Sequence, residues 1–546
     1  MGLAALLLLI CGPLVALYYL VQRARTLTTF EISVLNDLAL DDSPLTQRDG
    51  HILTIPHRLP SSGSYLNVSV RVVHVSAATP RNPNPANLPV FVLIHGLGGQ
   101  LAQFDELVDF FTYYADVLTL DLPGSGGAPY DSSLPSETYS TPSLVKLISA
   151  VVNEALGTER EIILVGHSLG TAMACYLAIS NDMKSRCKGL VAICPPVPLS
   201  QSALRAQKFT KYIPPMIFDL FRYYDRQGDL HSPSVERMLG SFDVASAIEE
   251  KIRRRQLRWN LQVRTPVWLA MASGARVPMF AEWNSLTVPV CLIGSEQDRV
   301  TPPEAVSTIA EWIRDGRVGH AATESVRTTI IPRAGHICLV DRHETVCGII
   351  NEFVVACVDQ RLSLGWQLAD LATRDDKWSL KNEAKWRSVQ SVSPIIGRSH
   401  FRAMKTLRQD DAEQNPAALE ENFADITDII DISRDQQPPY APASFKRITY
   451  HKFPTVSKIP PTRGQVDEFI ALVDDICYGP DGVDKGRVVA VHCHYGFNRT
   501  GFLICSYMVQ RMGRPVREAI EDFRVARPPG IKHPHFIDEL YVRYTL

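Results

Sequence analysis

The stretch EIILVGHSLG, Glu161–Gly170, decides how the first two thirds of this 546-residue chain are read. An apolar run of strand length leads into Gly166-His167-Ser168-Leu169-Gly170, and helical sequence follows. In that context a G-x-S-x-G segment is a sharp strand-to-helix turn that forces its serine into a strained backbone conformation. The flanking glycines remove side chains that would clash in so tight a turn, and the serine oxygen is exposed at the carboxyl end of a sheet. A hydroxyl is a weak nucleophile at its own pKa, so it needs a base, and that base needs a carboxylate to orient it.

Working outward, apolar runs of the same length recur: VFVLIHG, DVLTLDLPG, GLVAICPP, VPVCLIGSEQD and VRTTIIPRAGH. Each ends at a Gly- or Pro-marked turn, and helical patterns lie between them, which predicts a parallel sheet with helices on both faces. Ahead of these, HILTIPHRLP and SYLNVSVRVVHVSA read as a strand pair joined by a Ser/Gly turn. The strand ends supply the missing partners. Asp298 follows one strand and His336 the next, giving the chain order Ser168, Asp298, His336 that such a fold uses. LIHGLGG, Leu93–Gly99, can aim backbone amides at a developing oxyanion, and the expected donors are the N–H groups of Leu97 and Leu169. From about Leu199 to Leu286 the rhythm breaks into helical, aromatic-rich sequence that reads as an inserted cap. Within it KIRRRQLR, Lys251–Arg258, reads as a solvated helix face, with contact to anionic lipid as the other reading. A helix near Val346–Leu364 is expected to close a domain spanning residues 30–364.

On these residues the region from roughly Leu53 to Arg361 resembles the α/β-hydrolase superfamily, including its capped lipase- and esterase-like members. The resemblance implies hydrolysis of an ester or related acyl bond through an acyl-enzyme on Ser168. It also implies that the cap shapes the pocket for an acyl or lipid-like substrate.

A polar, charged junction over residues 365–385 precedes a second α/β pattern, residues 386–546, with strands at DIIDIS, RITYHKF and RVVAVHC. Here the chemistry lies in VHCHYGFNRTG, Val491–Gly501. Cys493 and Arg499 bracket five residues, His494, Tyr495, Gly496, Phe497 and Asn498, between an apolar strand and a helix that starts near Thr500. A loop of that length at a helix N-terminus can curl its amides inward as an anion cradle. Arg499 adds a planar fork that grips two phosphate oxygens. The same positive field favours the Cys493 thiolate, which would attack phosphorus in line, while Thr500 hydrogen-bonds the sulfur as it leaves.

This pattern resembles the cysteine-dependent dual-specificity phosphatases. Together with ARPPGI, FRAMKTLR, IIDIS and Pro460–Thr462, it is similar to the RNA 5′-triphosphatase domain of metazoan mRNA-capping enzymes over about Trp386–Leu546. The resemblance implies Cys493 as nucleophile, Arg499 as phosphate binder, and either a phosphorylated protein or an RNA 5′-triphosphate as substrate. One departure is visible. Protein-directed members place an Asp general acid upstream of the cysteine, yet HKFPTVSKIPPTRG, His451–Gly464, contains no carboxylate. Asp467 comes next, at an expected helix start, and Asp435 is an outside candidate. A serine alkoxide leaves poorly unless protonated. A phenolate leaves more readily, with a pKa of about 10. A phosphate leaving an anhydride is better still, with a second pKa near about 6. The acid-free loop therefore tilts the substrate towards a phosphoanhydride or a phenolic phosphate.

The N-terminus departs from this globular pattern. GLAALLLLICGPLVALYYLVQ, Gly2–Gln22, carries no charge and is long enough to cross a bilayer as a helix. Arg23 and Arg25 follow it, so residues 1–25 read as an uncleaved transmembrane anchor with the rest of the chain facing the cytosol. With 56 basic against 58 acidic residues the chain is not a bulk nucleic-acid binder, and no stable nucleic-acid partner is expected. The 11 cysteines show neither disulfide-framework nor zinc spacing, and neither chemistry calls for a metal or a cofactor. The fold class expected is therefore α/β throughout: an anchored α/β-hydrolase domain with a helical cap, then a cysteine-phosphatase α/β domain. The function expected is a membrane-anchored bifunctional hydrolase. The alternative is a chain with one live domain, the other being a docking or phosphate-binding adaptor module.

Overall fold

The computed structural model describes residues 22–76, 88–112, 115–242, 246–315, 325–363, 386–409, 411–433, 438–456, 459–479 and 481–545. The apolar stretch expected to span a membrane lies, apart from Gln22, outside the described residues, as does the 365–385 junction. Among the described residues no helix is long and apolar enough to cross a bilayer. The chain divides into two compact units. One comprises Met1–Val346 with Glu352–Asp359, the other Cys347–Asn351 with Gln360–Leu546.

The first unit is built on eight strands: β1 Gly50–Arg58, β2 Tyr65–Val75, β3 Val90–Ile94, β4 Val117–Asp121, β5 Ile162–His167, β6 Cys187–Ile193, β7 Val290–Ser295 and β8 Val326–Ile331. They are ordered β1-β2-β4-β3-β5-β6-β7-β8. From β4 to β8 neighbours are parallel, whereas β1 and β2 pair antiparallel and β2 meets β4 antiparallel. The β1–β2 turn closes where the Leu59 N–H donates to the Ser64 carbonyl at 2.9 Å, with Gly63 at φ 69°. Strands β3, β4, β5 and β7 are buried along their whole length, which is why they read as unbroken apolar runs. β8 lies at the sheet edge and exposes its middle.

Between β6 and β7 the chain forms the cap, with helices at Gln201–Phe209, Pro215–Asp225, Ser246–Gln262 and Thr265–Gly274. The basic run in the third of these is neither a solvated face nor a lipid-contacting one. Arg253 pairs with Glu236 and Glu249, Arg254 with Asp37, Arg255 with Glu106, and Arg258 with Asp41. The four side chains keep between 11% and 23% of their exposure. They bind the cap helix to the N-terminal segment and to the body of the unit. The carboxylates that neutralise them are mostly remote in sequence, so charge density alone pointed outward.

The second unit holds a four-stranded, wholly parallel sheet in the order β11-β10-β12-β9, from β9 Phe401–Met404, β10 Asp428–Asp431, β11 Thr449–Lys452 and β12 Val489–His492. Three of these strands are expected from sequence. β9 is the addition, its short apolar pattern interrupted by Arg402. Helices Arg463–Cys477, Asn498–Gln510, Val516–Ala526 and Pro534–Thr545 complete it, around a core with Phe401, Phe469, Phe502, Tyr507 and Phe523.

Candidate active sites

In the first unit, Ser168 follows β5 directly and caps the helix Leu169–Ile179 with φ 54° and ψ −127°. A left-handed φ on a non-glycine residue is strained, and the glycines around it show what holds it there. A Cβ on Gly170 would sit 2.1 Å from the Ile94 carbonyl oxygen, and one on Gly166 2.5 Å from the Gly170 oxygen. The elbow fits only because its neighbours lack side chains.

Asp298 and His336 come from loops after β7 and β8. The His336 Nδ1–H donates to Asp298 Oδ2 at 2.8 Å, and both side chains are buried. Burial alone would raise the Asp298 pKa. The bond from His336, together with those from the Thr301 hydroxyl (2.7 Å) and the Val300 and Thr301 amides (2.7 and 2.9 Å), outweighs it and holds the group at about 2. An ionised Asp298 fixes the proton on Nδ1, leaving Nε2 as the basic nitrogen. Ser168 and His336 line one cavity of about 350 Å³, of a size that holds a small organic ligand. Leu97 lines the same cavity, and Leu169 opens the helix, where the first amides have no carbonyl partner within the helix. Phe218, Phe221 and Trp268 of the cap line it too, with Phe218 stacked on Trp268 at 4.7 Å.

Two buried histidines were not singled out by the sequence reading. His95 receives the Leu122 N–H on Nε2 at 3.0 Å and faces the Gly96 carbonyl with Nδ1 at 2.9 Å, tying the loop after β3 to that after β4; burial lowers its pKa to about 4. His167 donates from Nε2 to the His336 carbonyl at 2.8 Å, and burial lowers it to about 3. Both are neutral braces. His167, Cys194 and His336 bring potential metal-ligating atoms within 4.8 Å of one another. Each imidazole there already commits a nitrogen to protein, and a hydrogen bond with Cys338 and burial push the Cys194 thiol well up, which makes it a poor metal cradle.

In the second unit, Cys493 follows β12 and the helix Asn498–Gln510 begins within the loop beyond it. Thr500 Oγ1 donates to Cys493 Sγ at 3.4 Å. Burial raises the thiol pKa, but the Arg499 charge, the Thr500 hydroxyl and the Gly496 and Phe497 amides more than offset it, so the pKa falls below the ordinary cysteine value. Gly496 has φ 72°, and a Cβ there would lie 2.1 Å from the Met404 carbonyl oxygen at the end of β9. The Arg499 guanidinium is buried and held by the carbonyls of Ile432 (3.1 Å) and Thr455 (3.0 Å). Those bonds use only Nη1, so the fork is oriented before any anion arrives.

Within the loop, Asn498 turns its side chain away from anion binding. Its Oδ1 accepts the Lys532 and His533 amides at 2.7 and 3.1 Å, clasping the segment just past Ala526–Ile531 to the loop. Arg527, fully buried, donates from Nη2 to the Tyr495 carbonyl at 2.9 Å and from Nη1 to Gln390 at 2.7 Å; burial lowers its pKa to about 10. The His494 carbonyl accepts the Thr406 amide at 3.0 Å. Behind the cysteine, His492 faces the Cys493 carbonyl with Nδ1 at 2.9 Å and the Tyr440 hydroxyl with Nε2 at 2.7 Å. Arg527, His492 and Tyr440 were not singled out as site residues in the sequence; the only signal for Arg527 was its place in ARPPGI. Asp467 lies on the exposed side of Arg463–Cys477, and Asp435 lies outside the described residues.

One site thus gathers a serine, a histidine and an aspartate, the other a cysteine, an arginine and a threonine. Residues 89–342 match the family described as alpha/beta hydrolase fold, and residues 409–545 match dual specificity phosphatase, catalytic domain. The chain joins an α/β-hydrolase domain to a dual-specificity phosphatase domain, both hydrolase families. It is 27% identical over 226 residues to an abhydrolase domain-containing protein of Schizosaccharomyces pombe, covering 41% of this chain and 61% of that one. It is 39% identical over 84 residues to the mRNA-capping enzyme of Mus musculus, covering 15% of this chain and 13% of that one. It is 27% identical over 173 residues to a tyrosine-protein phosphatase of Autographa californica nuclear polyhedrosis virus, covering 29% of this chain and 98% of that one. The chain spans less than two thirds of the length of the first two relatives.

Proposed function

We propose that this chain is a membrane-anchored bifunctional hydrolase, a serine hydrolase of ester or related acyl bonds and a cysteine-dependent phosphatase. One observation carries the reading: each unit holds its nucleophile beside the groups that activate it, Ser168 in one cavity with an Asp298-oriented His336, and Cys493 with a depressed thiol under Thr500 and Arg499.

In the first reaction His336 Nε2 takes the Ser168 proton as Oγ bonds to the acyl carbon. The oxyanion is met by the amides of Leu97 and Leu169. His336 then returns the proton to the leaving alcohol, and water repeats the sequence to release the acid. In the second, Cys493 Sγ bonds to phosphorus as the P–O bond to the leaving group breaks. The backbone of His494–Asn498 and the Arg499 fork hold the three remaining oxygens, and water cleaves the phosphocysteine. The loop His451–Gly464 has no carboxylate to protonate a departing alkoxide, which favours an RNA 5′-triphosphate or a phenolic phosphate. The uncharged Gly2–Gln22 and the arginines after it support an anchor with both domains in the cytosol, where a catalytic thiolate persists.

The full chain, assayed in detergent with p-nitrophenyl acetate and p-nitrophenyl phosphate, tests this. Ser168→Ala is expected to silence the first activity and spare the second, and Cys493→Ser the reverse. Phosphate ester that binds but is never turned over would favour a phosphate-binding adaptor, the reading that the acid-free loop also permits.

A further inference from the structure

The cap carries an outward apolar surface that the catalytic reading does not use. On the helix Pro215–Asp225, Ile217, Phe221 and Tyr224 stand at i, i+4 and i+7, a single stripe, and just ahead in sequence Phe209 and Tyr212 pack edge to face at 5.6 Å. These five side chains are between 54% and 69% exposed. The opposite side of the helix is fastened down: Arg222 donates to the carbonyls of Val263 and Asn260, both at 2.7 Å, and Arg226 pairs with the buried Glu31. The stripe therefore does not face outward because its helix is loose. Tyrosine and phenylalanine at such a density on a surface mark a contact site, and aromatic residues suit the boundary between water and lipid.

Three further observations bear on what covers it. Phe221 and its helix neighbour Phe218 line the Ser168 cavity, so the stripe is also the lip of that cavity. Exposed Arg205, Lys208 and Lys211 share the segment that carries Phe209 and Tyr212, with Lys211 Nζ 4.7 Å from the Tyr212 ring centre. Nearby Asp219 and Asp225 are engaged by Arg25 and Arg237, so the free charge at the rim is positive. Finally, Arg25, three residues past the end of the uncharged Gly2–Gln22 segment, pairs through Nε with Asp219 of this helix at 3.2 Å. Asp219 also accepts from the Thr265 hydroxyl, which Arg222 bonds too, so Arg25 meets the fastened side of the helix, opposite the stripe.

We infer that Phe209, Tyr212, Ile217, Phe221 and Tyr224 dock the cap on an anionic phospholipid surface, so that a long-chain acyl ester passes from the lipid into the Ser168 cavity over Phe221. This rests on the serine-hydrolase and anchor readings above. The basic rim meets the headgroups and the rings sink to the acyl boundary, as in an interfacial helix.

The full chain is placed in phosphatidylcholine–phosphatidylserine vesicles that carry a long-chain acyl ester. The combined variant Phe209→Ser, Tyr212→Ser, Ile217→Ser, Tyr224→Ser leaves the cavity lining intact. It is expected to lower turnover of the vesicle-borne ester at least about tenfold and to leave p-nitrophenyl acetate turnover unchanged. In parallel, a photo-crosslinking benzoylphenylalanine at position 217 is expected to label phospholipid, while one at Tyr65, exposed on β2, is not. Equal loss on both esters, equal labelling at both positions, or crosslinking of position 217 to a second copy or to another protein overturns the inference. If Ser168→Ala affects neither ester, the hydrolase reading fails separately, and the labelling still decides whether this face meets lipid.

Discussion

The proposed nucleophile, base and carboxylate of the hydrolase unit come from loops after three different strands. In the phosphatase unit, the proposed nucleophile, the proposed anion cradle and the hydroxyl that bonds the sulfur run unbroken from Cys493 to Thr500. The first site brings distant groups together, and on the proposed reading its activation runs through one hydrogen bond, His336 to Asp298. The second curls a short segment tightly, and the groups that lower its thiol pKa are spread over amides, a guanidinium and a hydroxyl. A dispersed site fails when one link breaks, whereas a contiguous one fails when its backbone cannot curl.

The sharpest way to break this contrast is at the single link. Asp298→Asn is expected to lower ester turnover by roughly ten-thousandfold, since an amide holds the imidazole in the wrong tautomer, with phosphatase turnover unchanged. Steady-state kinetics on both substrates reads this directly, and a loss under tenfold would remove Asp298 from the triad.

The matching backbone test is Gly496→Ala. Its Cβ would meet the Met404 oxygen at 2.1 Å from a left-handed φ, so the cradle must shift. Phosphatase turnover is expected to fall by about a hundredfold, on the scale of losing one well-placed donor, with ester turnover spared. Full retention would mean the loop does not bind phosphate through its amides.

Smaller effects sharpen the comparison. Asn498→Ala removes two bonds to the Lys532 and His533 amides, at about 1 kcal/mol each for a typical hydrogen bond. It should raise KM for p-nitrophenyl phosphate severalfold and leave the Cys493 titration in place. Thr500→Ala removes one of the groups that lower the thiol pKa, so the acid limb of the phosphatase pH–rate profile should move to higher pH. An unmoved limb would show that the hydroxyl does not touch the ground-state thiolate.

The least effect concerns stability. The Asp298 carboxylate is held at about 2, below its ordinary value of 3.8, so its ionised state stabilises the fold above pH about 4. That contribution is lost as the pH falls through 2. Denaturant midpoints of wild type and Asp298→Asn should therefore differ at neutral pH and converge as the pH falls from 4 towards 2.

The same contrast governs what was legible in the sequence. Ser168, Asp298 and His336 could be read because each follows an apolar run, and Cys493 to Thr500 because a contiguous loop keeps its own spacing. Groups that act through tertiary placement were not legible. Arg527 reaches the loop from a separate segment, and Tyr440 reaches His492 across 52 positions. His95 and His167 look like any histidine beside a strand until their partners are known. The run Lys251–Arg258 misled for the same reason, since the remote carboxylates that neutralise it leave no local trace.

Those arginines have a mechanical consequence. The helix Ser246–Gln262 is bolted to Asp37 and Asp41 ahead of the sheet and to Glu106 on the body, all through ionic contacts. Each of these arginines keeps less than a quarter of its exposure, and electrolyte screens such partly buried pairs much less than exposed ones, so the grip should hold as salt is added. The access route over Ser168 should then keep its width as ionic strength rises, and the ratio of bulky-ester to small-ester turnover should not change with salt.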